Sequence, residues 1–190
     1  MVQPKEVILK PGMQLFADPR MDDPYFGKAM LAISSFSPSE GAMGFILNRP
    51  MDLELNQLVE ESLNVSIPVW YGGPVDNARL FYMHQAADLI PDSTPIEENV
   101  FLGGHFPKLV QALNSGALSP DRVRFFLGYS GWSKGQLEEE LMANAWVVDY
   151  EPLASVLARD LSVDDWKLKM LSLGNTYALW ASFEQRLIKN

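Results

Sequence analysis

The sequence predicts an α+β protein with a mixed, mostly antiparallel β-sheet flanked by helices. Strand-like segments follow one another directly in the first half of the chain, and they alternate with helical patterns in the second half. The chain has 190 residues, of which 47% are hydrophobic and 21% charged, as in globular proteins with a sizeable core. We therefore expect residues 1–190 to form a single domain.

The first half of the chain contains five apolar segments of strand length. These are residues 13–17, 29–33, 44–47, 67–71 and 80–83. The Ser-Pro-Ser-Glu-Gly segment at 37–41 predicts a hairpin turn between the second and third strands. Leucines and a valine at helical spacing predict a short amphipathic helix over 55–63, and two prolines predict a surface loop over 86–98.

The second half contains clearer helical patterns. Apolar residues at i, i+3, i+4 and i+7 predict a helix over 106–113, between short strands at 100–102 and 122–128. A further helical pattern covers 153–161. The last predicted helix has Ser162 as its N-cap and two aspartates in its first turn, which suit the positive end of the helix dipole. Its predicted buried stripe is Val163, Trp166, Met170 and Leu173.

Residues 128–138 indicate a strand end, a tight turn and a capped helix. Gly128 and Gly131 permit backbone angles that other residues avoid. Ser133 followed three residues later by Gln136 is the pattern of a capping box. We therefore predict a turn at 128–131, a helix that ends near Asn144, and a strand over 146–150.

The charge balance and the absence of cysteine restrict the function classes. Lys and Arg total 15 against 24 Asp and Glu, and this net charge of −9 opposes direct binding to nucleic acid. The acids between 136 and 165 are typical of a solvated face. With no cysteine, disulfides and thiolate catalysis are excluded. Residues 1–16 have no apolar signal segment, and we expect a cytoplasmic protein without a membrane partner.

Catalytic motifs are incomplete. Ser130 lies in a Gly-Tyr-Ser-Gly sequence, but Trp132 stands where a nucleophile elbow requires glycine, so we interpret Ser130 as a turn residue. We predict no catalytic residues. The alternative is an enzyme for a small anionic substrate that uses His84 or Glu138 as a general base.

Metal and phosphate motifs are equally incomplete. Asp18, Asp22 and Asp23 lack the spacing of a calcium loop, and two histidines cannot form a typical zinc site alone. Lys134 lies beside a predicted helix start that could hold a phosphate, but we expect the capping residues to satisfy that end. We predict no metal site and no cofactor.

Arg49 is the charged residue with the strongest indication of a role. It follows an apolar strand and precedes Pro50, so its backbone is expected to be rigid. Two roles compete, a structural ion pair and a clamp for a carboxylate or phosphate. Gly72-Gly73 likewise predicts a tight turn that could cradle a ligand. The candidate ligand surface comprises Asn48, Arg49, Gly72, Gly73, Gly131, Trp132, Ser133 and Gln136.

Several short motifs in the same order resemble the bacterial YqgE/AlgH family. They are Asp-Pro-Tyr-Phe at 23–26, Glu-Gly-Ala-Met-Gly at 40–44, Asn-Arg-Pro at 48–50, Tyr-Gly-Gly-Pro-Val at 71–75, Gly-Tyr-Ser-Gly-Trp at 128–132 and Gly-Gln-Leu-Glu at 135–138. The resemblance is strongest over residues 12–174. It implies a coiled, branching, barrel-like sheet with flanking helices. Family members are mostly uncharacterised, some are labelled transcriptional regulators, and no catalytic residues come with the resemblance.

These observations favour a non-enzymatic binding or regulatory protein. The expected partner is a small anionic ligand or another protein. Two alternatives stay open: the enzyme described above, and a transcriptional regulator that acts directly or through a partner. For the regulator, the acidic charge and the lack of a helix-turn-helix pattern favour action through a partner over direct DNA binding.

Overall fold

The computed structural model describes residues 7–187. Within this range ten strands form one connected sheet, which is flanked by five α-helices. The strands are β1 Gln14–Ala17, β2 Met30–Ser37, β3 Gly41–Ile46, β4 Pro50–Glu54, β5 Pro68–Tyr71, β6 Val75–His84, β7 Thr94–Glu97, β8 Val100–Leu102, β9 Val123–Trp132 and β10 Trp146–Asp149. The helices are α1 Phe106–Asn114, α2 Gln136–Met142, α3 Leu153–Leu157, α4 Val163–Ser172 and α5 Asn175–Leu187.

The sheet branches at β9. The main path runs β10-β1-β2-β3-β9-β6-β8-β7, while β5 also pairs with β9 and carries β4. Among the pairings within residues 7–187, only β5–β9 is parallel, so the predicted mixed, mostly antiparallel sheet is confirmed. The barrel-like closure that the family resemblance implied is wrong, because β10 and β7 end the described path without pairing with each other.

Close backbone contact at the branch explains the glycines. β9 continues through Gly128 and Gly131, so the turn predicted at 128–131 is wrong. Gly128 has φ +69°, and a Cβ there would lie 2.4 Å from the carbonyl oxygen of Gly73. A Cβ on Gly72 would lie 2.2 Å from the carbonyl oxygen of Gly128. These glycines allow β5 to approach β9 at the branch.

Two predicted segments in the middle of the chain are wrong. In place of the helix over 55–63 there is a three-residue 3-10 turn at Leu55–Gln57 followed by irregular chain. There the backbone N–H of Leu55 donates to the carbonyl oxygen of Ile67 at 2.9 Å, so long-range pairing overrides the local pattern. The loop over 86–98 contains β7, a short edge strand that tolerates Pro95.

The helix starts agree with the sequence in part. α1 and the Ser162 capping box of α4 are confirmed. Ser133 does not cap α2, because Gly135 in the left-handed conformation is the N-cap, and only Gln136 bonds back, to the N–H of Ser133. In α4, Trp166 and Met170 are buried, whereas Val163 and Leu173 are exposed because they lie at the two ends of the helix.

The core lies on both faces of the sheet. α3, α4 and α5 cover one apolar cluster, which includes Phe45, Phe126 and Trp166. α1 covers another around Phe125, and α2 closes a third around Trp132. No helix within residues 7–187 is both long and apolar enough to cross a bilayer.

Candidate functional site

Asn48 anchors the loop that joins β3 to β4. Its side chain is buried, and its Oδ1 accepts from the backbone N–H of Met30 at 2.8 Å. Its Nδ2 donates to the carbonyl oxygens of Lys28 at 2.9 Å and Ser162 at 3.3 Å. Because the amide is used in these three bonds, Asn48 fixes the position of the next residue, Arg49.

Arg49 is half-buried beside this loop. Its Nη2 donates to the carbonyl oxygen of Gly27 at 3.0 Å, and its own carbonyl accepts from the N–H of Tyr71 at 2.9 Å. Burial lowers the pKa of Arg49, while nearby Tyr71 and Asp23 act in the opposite direction. Among residues 7–187 Arg49 forms no salt bridge, so the structural ion pair considered from the sequence is absent there.

An open pocket of about 710 Å³ surrounds Arg49. Its lining residues come from the β3–β4 loop, the start of β4, the end of β5 and the start of α4: Asn48, Arg49, Pro50, Met51, Tyr71, Ser162, Val163 and Asp164. Burial raises the pKa of the Tyr71 phenol, and neighbouring Tyr25 adds to this effect. The phenol is therefore a neutral hydrogen-bonding group at neutral pH, in the same pocket as a guanidinium.

Asp23 lies near Arg49, but it is committed to its own loop. Its Oδ1 accepts from the backbone N–H groups of Tyr25 and Phe26, both at 2.8 Å. These bonds shape the segment that presents the carbonyl of Gly27 to Arg49. The acid therefore contributes negative potential to the site without forming an ion pair with the guanidinium.

The segment from Trp132 to Gln136 has a packing role. Glu140 Oε2 accepts from the indole N–H groups of Trp132 at 2.8 Å and Trp146 at 2.7 Å, and Oε1 accepts from Gln136 Nε2 at 3.0 Å. The ring of Phe26 lies 6.3 Å from that of Trp132 and 5.9 Å from that of Trp146. This cluster supports the loop that contacts Arg49.

The structure divides the predicted ligand surface. Asn48 and Arg49 line the pocket described above, whereas Gly131, Trp132 and Ser133 line a separate depression of about 590 Å³ beside the β2–β3 hairpin. Gly72 and Gly73 are buried at the sheet branch, where they are close to β9 rather than to a cavity. Gln136 is exposed and bonded within its own helix region.

The residues considered for catalysis lie apart. His84 on β6 is fully buried; its Nδ1 accepts from the N–H of Ala86 at 3.2 Å, and its Nε2 bonds the carbonyl of Gly103 at 2.9 Å. Glu138 lies on α2, and its buried Oε2 has no hydrogen-bond partner within residues 7–187. Ser130 is buried in β9, not in a turn, and donates to the carbonyl of Gly72 at 3.1 Å.

The early aspartates are used in local structure. Asp18 is buried and accepts two bonds from the Arg20 guanidinium, at 2.7 and 3.0 Å. Burial opposes ionisation of Asp18, but the bonds to Arg20 together prevail and lower its pKa. Across the described part of the chain, no group of three or more acidic or histidine side chains is arranged to hold a metal ion.

Six of the eight lining residues are not among the site residues predicted from the sequence. Tyr71 stands in the Tyr-Gly-Gly-Pro-Val motif, but only the glycines of that motif suggested a ligand contact, and Ser162 is distant in sequence. Gly27 lies outside the lining and contributes a backbone carbonyl that accepts from Arg49. Only the Asn-Arg-Pro sequence signalled the position. The contact between the start of α4 and the β3–β4 loop depends on tertiary packing.

The fold and the site define a class: α+β proteins with a branched, open sheet and an arginine-lined pocket beside the branch. The chain belongs to the AlgH-like family, whose model matches residues 14–178. It is 34% identical over 185 residues to a UPF0301 protein of Bacteroides thetaiotaomicron, covering 97% of this chain and 93% of that one. A UPF0301 protein of Chlorobium phaeobacteroides is also 34% identical, with 92% of both chains covered.

Two solved structures share the fold. The solution structure of the AlgH protein from Pseudomonas aeruginosa matches with a TM-score of 0.69 at 27% identity, covering 96% of this chain and 97% of that one. The crystal structure of a Corynebacterium diphtheriae protein matches with a TM-score of 0.72 and 94% coverage of both chains, at 20% identity. The family resemblance drawn from the motifs is therefore confirmed, for a family whose function is not established.

Proposed function

We propose that this protein is a non-enzymatic binding protein whose ligand carries a carboxylate or a phosphate held by Arg49. The observation that supports the proposal is the state of the Arg49 guanidinium. It lies half-buried in an open pocket, donates to one backbone carbonyl, and has no carboxylate partner within residues 7–187. A guanidinium has five N–H donors in a planar fork that matches carboxylate and phosphate oxygens.

The surroundings of Arg49 favour an anion with an apolar body. Pro50, Met51 and Val163 contribute apolar surface to the pocket, and Tyr71 contributes an aromatic ring with a hydroxyl group. Arg49 is the only cationic residue among the lining residues, and Asp164 is also present. One positive charge beside an acid suits a carboxylate or a single phosphate group better than a polyphosphate.

The proposal is tested by titrating the protein with phenyl phosphate and benzoate, followed by amide NMR. Benzamide serves as the neutral control. We expect saturable shifts at residues of the Arg49 pocket with both anions, and weaker ones with benzamide. Arg49→Gln is expected to reduce affinity at least tenfold, because charge-assisted hydrogen bonds are about twice as strong as neutral ones.

Arg79→Gln is the matched control variant. Arg79 is an exposed arginine that lies over the ring of Phe81, 5.1 Å from its centroid, and outside the pocket. We expect this variant to bind both anions like the wild type. Equal loss in the two variants would indicate nonspecific attraction to surface arginines, and it would contradict the assignment.

A further inference from the structure

β4 is an edge strand next to the Arg49 pocket. Within residues 7–187 it pairs with β5 and with no other strand. The register places Pro50 opposite Trp70 and Glu54 opposite Pro68, so the three residues between the ends of β4 lie outside the regular pairing. Pro50 has no N–H, and the N–H of Glu54 donates to Gln57 Oε1 at 2.7 Å. An added chain would therefore pair through the carbonyls of β4 and the amides between these two ends.

The surface beside β4 is concave along its whole length. The Arg49 pocket includes Pro50 and Met51. A second depression of about 400 Å³ starts at the next residue, and Asp52, Leu53, Glu54, Asn56 and Gln57 line it. Between them, the two depressions include all five residues of β4, so every residue of the strand borders one of them.

The charges along this surface change sign. Arg49 provides a cation immediately before the strand, while Asp52 and Glu54 are exposed on the strand itself. Because side chains two positions apart in a strand lie on the same face, the two acids form one row. Neither acid forms an ion pair with another residue in the described part of the chain.

We infer that an extended peptide binds along the free edge of β4, with its C-terminal carboxylate at Arg49 and basic side chains opposite Asp52 and Glu54. The peptide runs antiparallel to β4, because Arg49 precedes the strand and the peptide ends there. Basic residues occupy alternate positions of the peptide, which matches the spacing of the two acids. The inference rests on the proposed function of Arg49 and specifies the class of ligand.

The test uses the full-length protein and a synthetic peptide, Lys-Val-Lys-Val-Lys-Val, with a free C-terminus. Binding is measured by calorimetry, and protection of the β4 amides is measured by hydrogen exchange. We expect the C-terminally amidated peptide to bind at least tenfold more weakly. A second control peptide carries N-methyl groups at the alternate backbone nitrogens that would face β4. It keeps its charges but cannot donate hydrogen bonds to the strand, and we expect it to lose binding.

A double variant of the protein tests the acidic row. Asp52→Asn with Glu54→Gln is expected to weaken binding of the lysine peptide at least fivefold and to reduce its dependence on salt. Phenyl phosphate binding to the same variant is expected to be unchanged. Equal peptide affinity in wild type and double variant would overturn the predicted charge pairing.

The outcomes separate this inference from the proposed function. If phenyl phosphate binds at Arg49 but the peptide does not bind or leaves the β4 amides unprotected, peptide addition is wrong and anion binding stands. If neither probe binds at Arg49, both are wrong. If sedimentation shows a dimer whose β4 amides are protected without peptide, a second copy occupies the edge and the peptide inference is overturned.

Discussion

Arg124 and Arg49 are both arginines without a carboxylate partner within residues 7–187, but they lie in opposite environments. Arg124 is 3% exposed, and it donates to the carbonyls of Leu47 at 3.3 Å, Leu157 at 3.0 Å and Arg159. Its guanidinium also lies 4.4 Å from the centroid of the Trp70 ring. Arg49 makes one side-chain hydrogen bond to the protein and borders an open pocket.

The difference shows how the same side chain can serve structure or binding. Burial lowers the pKa of Arg124 to about 10, so the side chain is still charged at neutral pH. Because it is buried, its N–H groups must find hydrogen-bond acceptors within the protein. Three backbone carbonyls accept its hydrogen bonds, and they connect β9 to the residue after β3 and to the C-terminal end of α3. Arg49 leaves most of its donors available, which is why we assign it to a ligand.

Substitution of Arg124 is expected to give the largest loss of stability. Arg124→Ala leaves buried carbonyls without a donor, at about 1–3 kcal/mol for each unsatisfied group. We expect the free energy of unfolding to fall by about 3 kcal/mol or more, measured by urea denaturation. The exposed control Arg79→Ala is expected to change it by less than about 1 kcal/mol. A similar small loss in both variants would contradict the structural role of Arg124.

Glu140, like Arg124, is a charged side chain whose hydrogen bonds are made to other groups of the protein. Glu140→Ala removes the acceptor for two largely buried indoles, and we expect the free energy of unfolding to fall by about 2 kcal/mol. Glu140→Gln retains one carbonyl acceptor and is expected to lose less. Glu139→Ala, at the neighbouring exposed position, is the control and should leave the urea midpoint nearly unchanged.

The pH dependence of stability tests whether His84 is a buried structural group. Burial lowers its pKa from the usual 6.5, and the bond to Gly103 opposes this only in part. The unfolded chain therefore binds the proton more readily than the folded protein. We expect the free energy of unfolding to be highest above pH 6.5 and to decrease as the pH falls from 6.5 towards the lowered folded pKa.

The measurement for His84 is a series of urea denaturations between about pH 5 and 8, where histidine titrates. His84→Gln is expected to have a flatter profile across this window, even if the variant is less stable overall. His105→Gln, at the exposed N-cap of α1, is the control and should keep the wild-type slope. An unchanged slope in His84→Gln would exclude His84 as the source.

Among these substitutions, that of Arg49 is expected to change the free energy of unfolding least. Arg49→Gln loses one hydrogen bond to a backbone carbonyl at the rim of a pocket, so we expect the free energy of unfolding to change by less than about 1 kcal/mol. Urea denaturation of this variant beside Arg124→Ala measures the contrast directly. A loss as large as that of Arg124→Ala would place Arg49 among the structural arginines.

Much of the fold could be predicted from periodicity and capping residues. The strands around Leu15, Leu31 and Phe126 and the capped start of α4 follow from local patterns. The branch at β9 could not be predicted, because Gly128 and Gly131 also suit a turn. Only the approach of β5, which requires a glycine at position 72, decides between a turn and a continuous strand.

Only a small part of the candidate pocket could be predicted from the sequence. Asn48 and Arg49 carry a local signal, since an arginine between an apolar strand and a proline is held in a fixed position. The grouping of Arg49 with Trp132 and Gln136 was not supported, because the indole of Trp132 bonds to Glu140 instead of facing the Arg49 pocket. Such partners are set by tertiary contacts that no single-sequence pattern encodes.

The most direct test of the account observes the two arginines in one experiment. Side-chain Nε–Hε signals of the wild-type protein are recorded by NMR while phenyl phosphate is added, with assignments from Arg49→Gln and a conservative Arg124→Lys variant. We expect a saturable shift of the Arg49 signal and an unchanged Arg124 signal. An Arg49 signal that does not move, or one that moves no more than those of Arg79 and Arg122, would contradict the account.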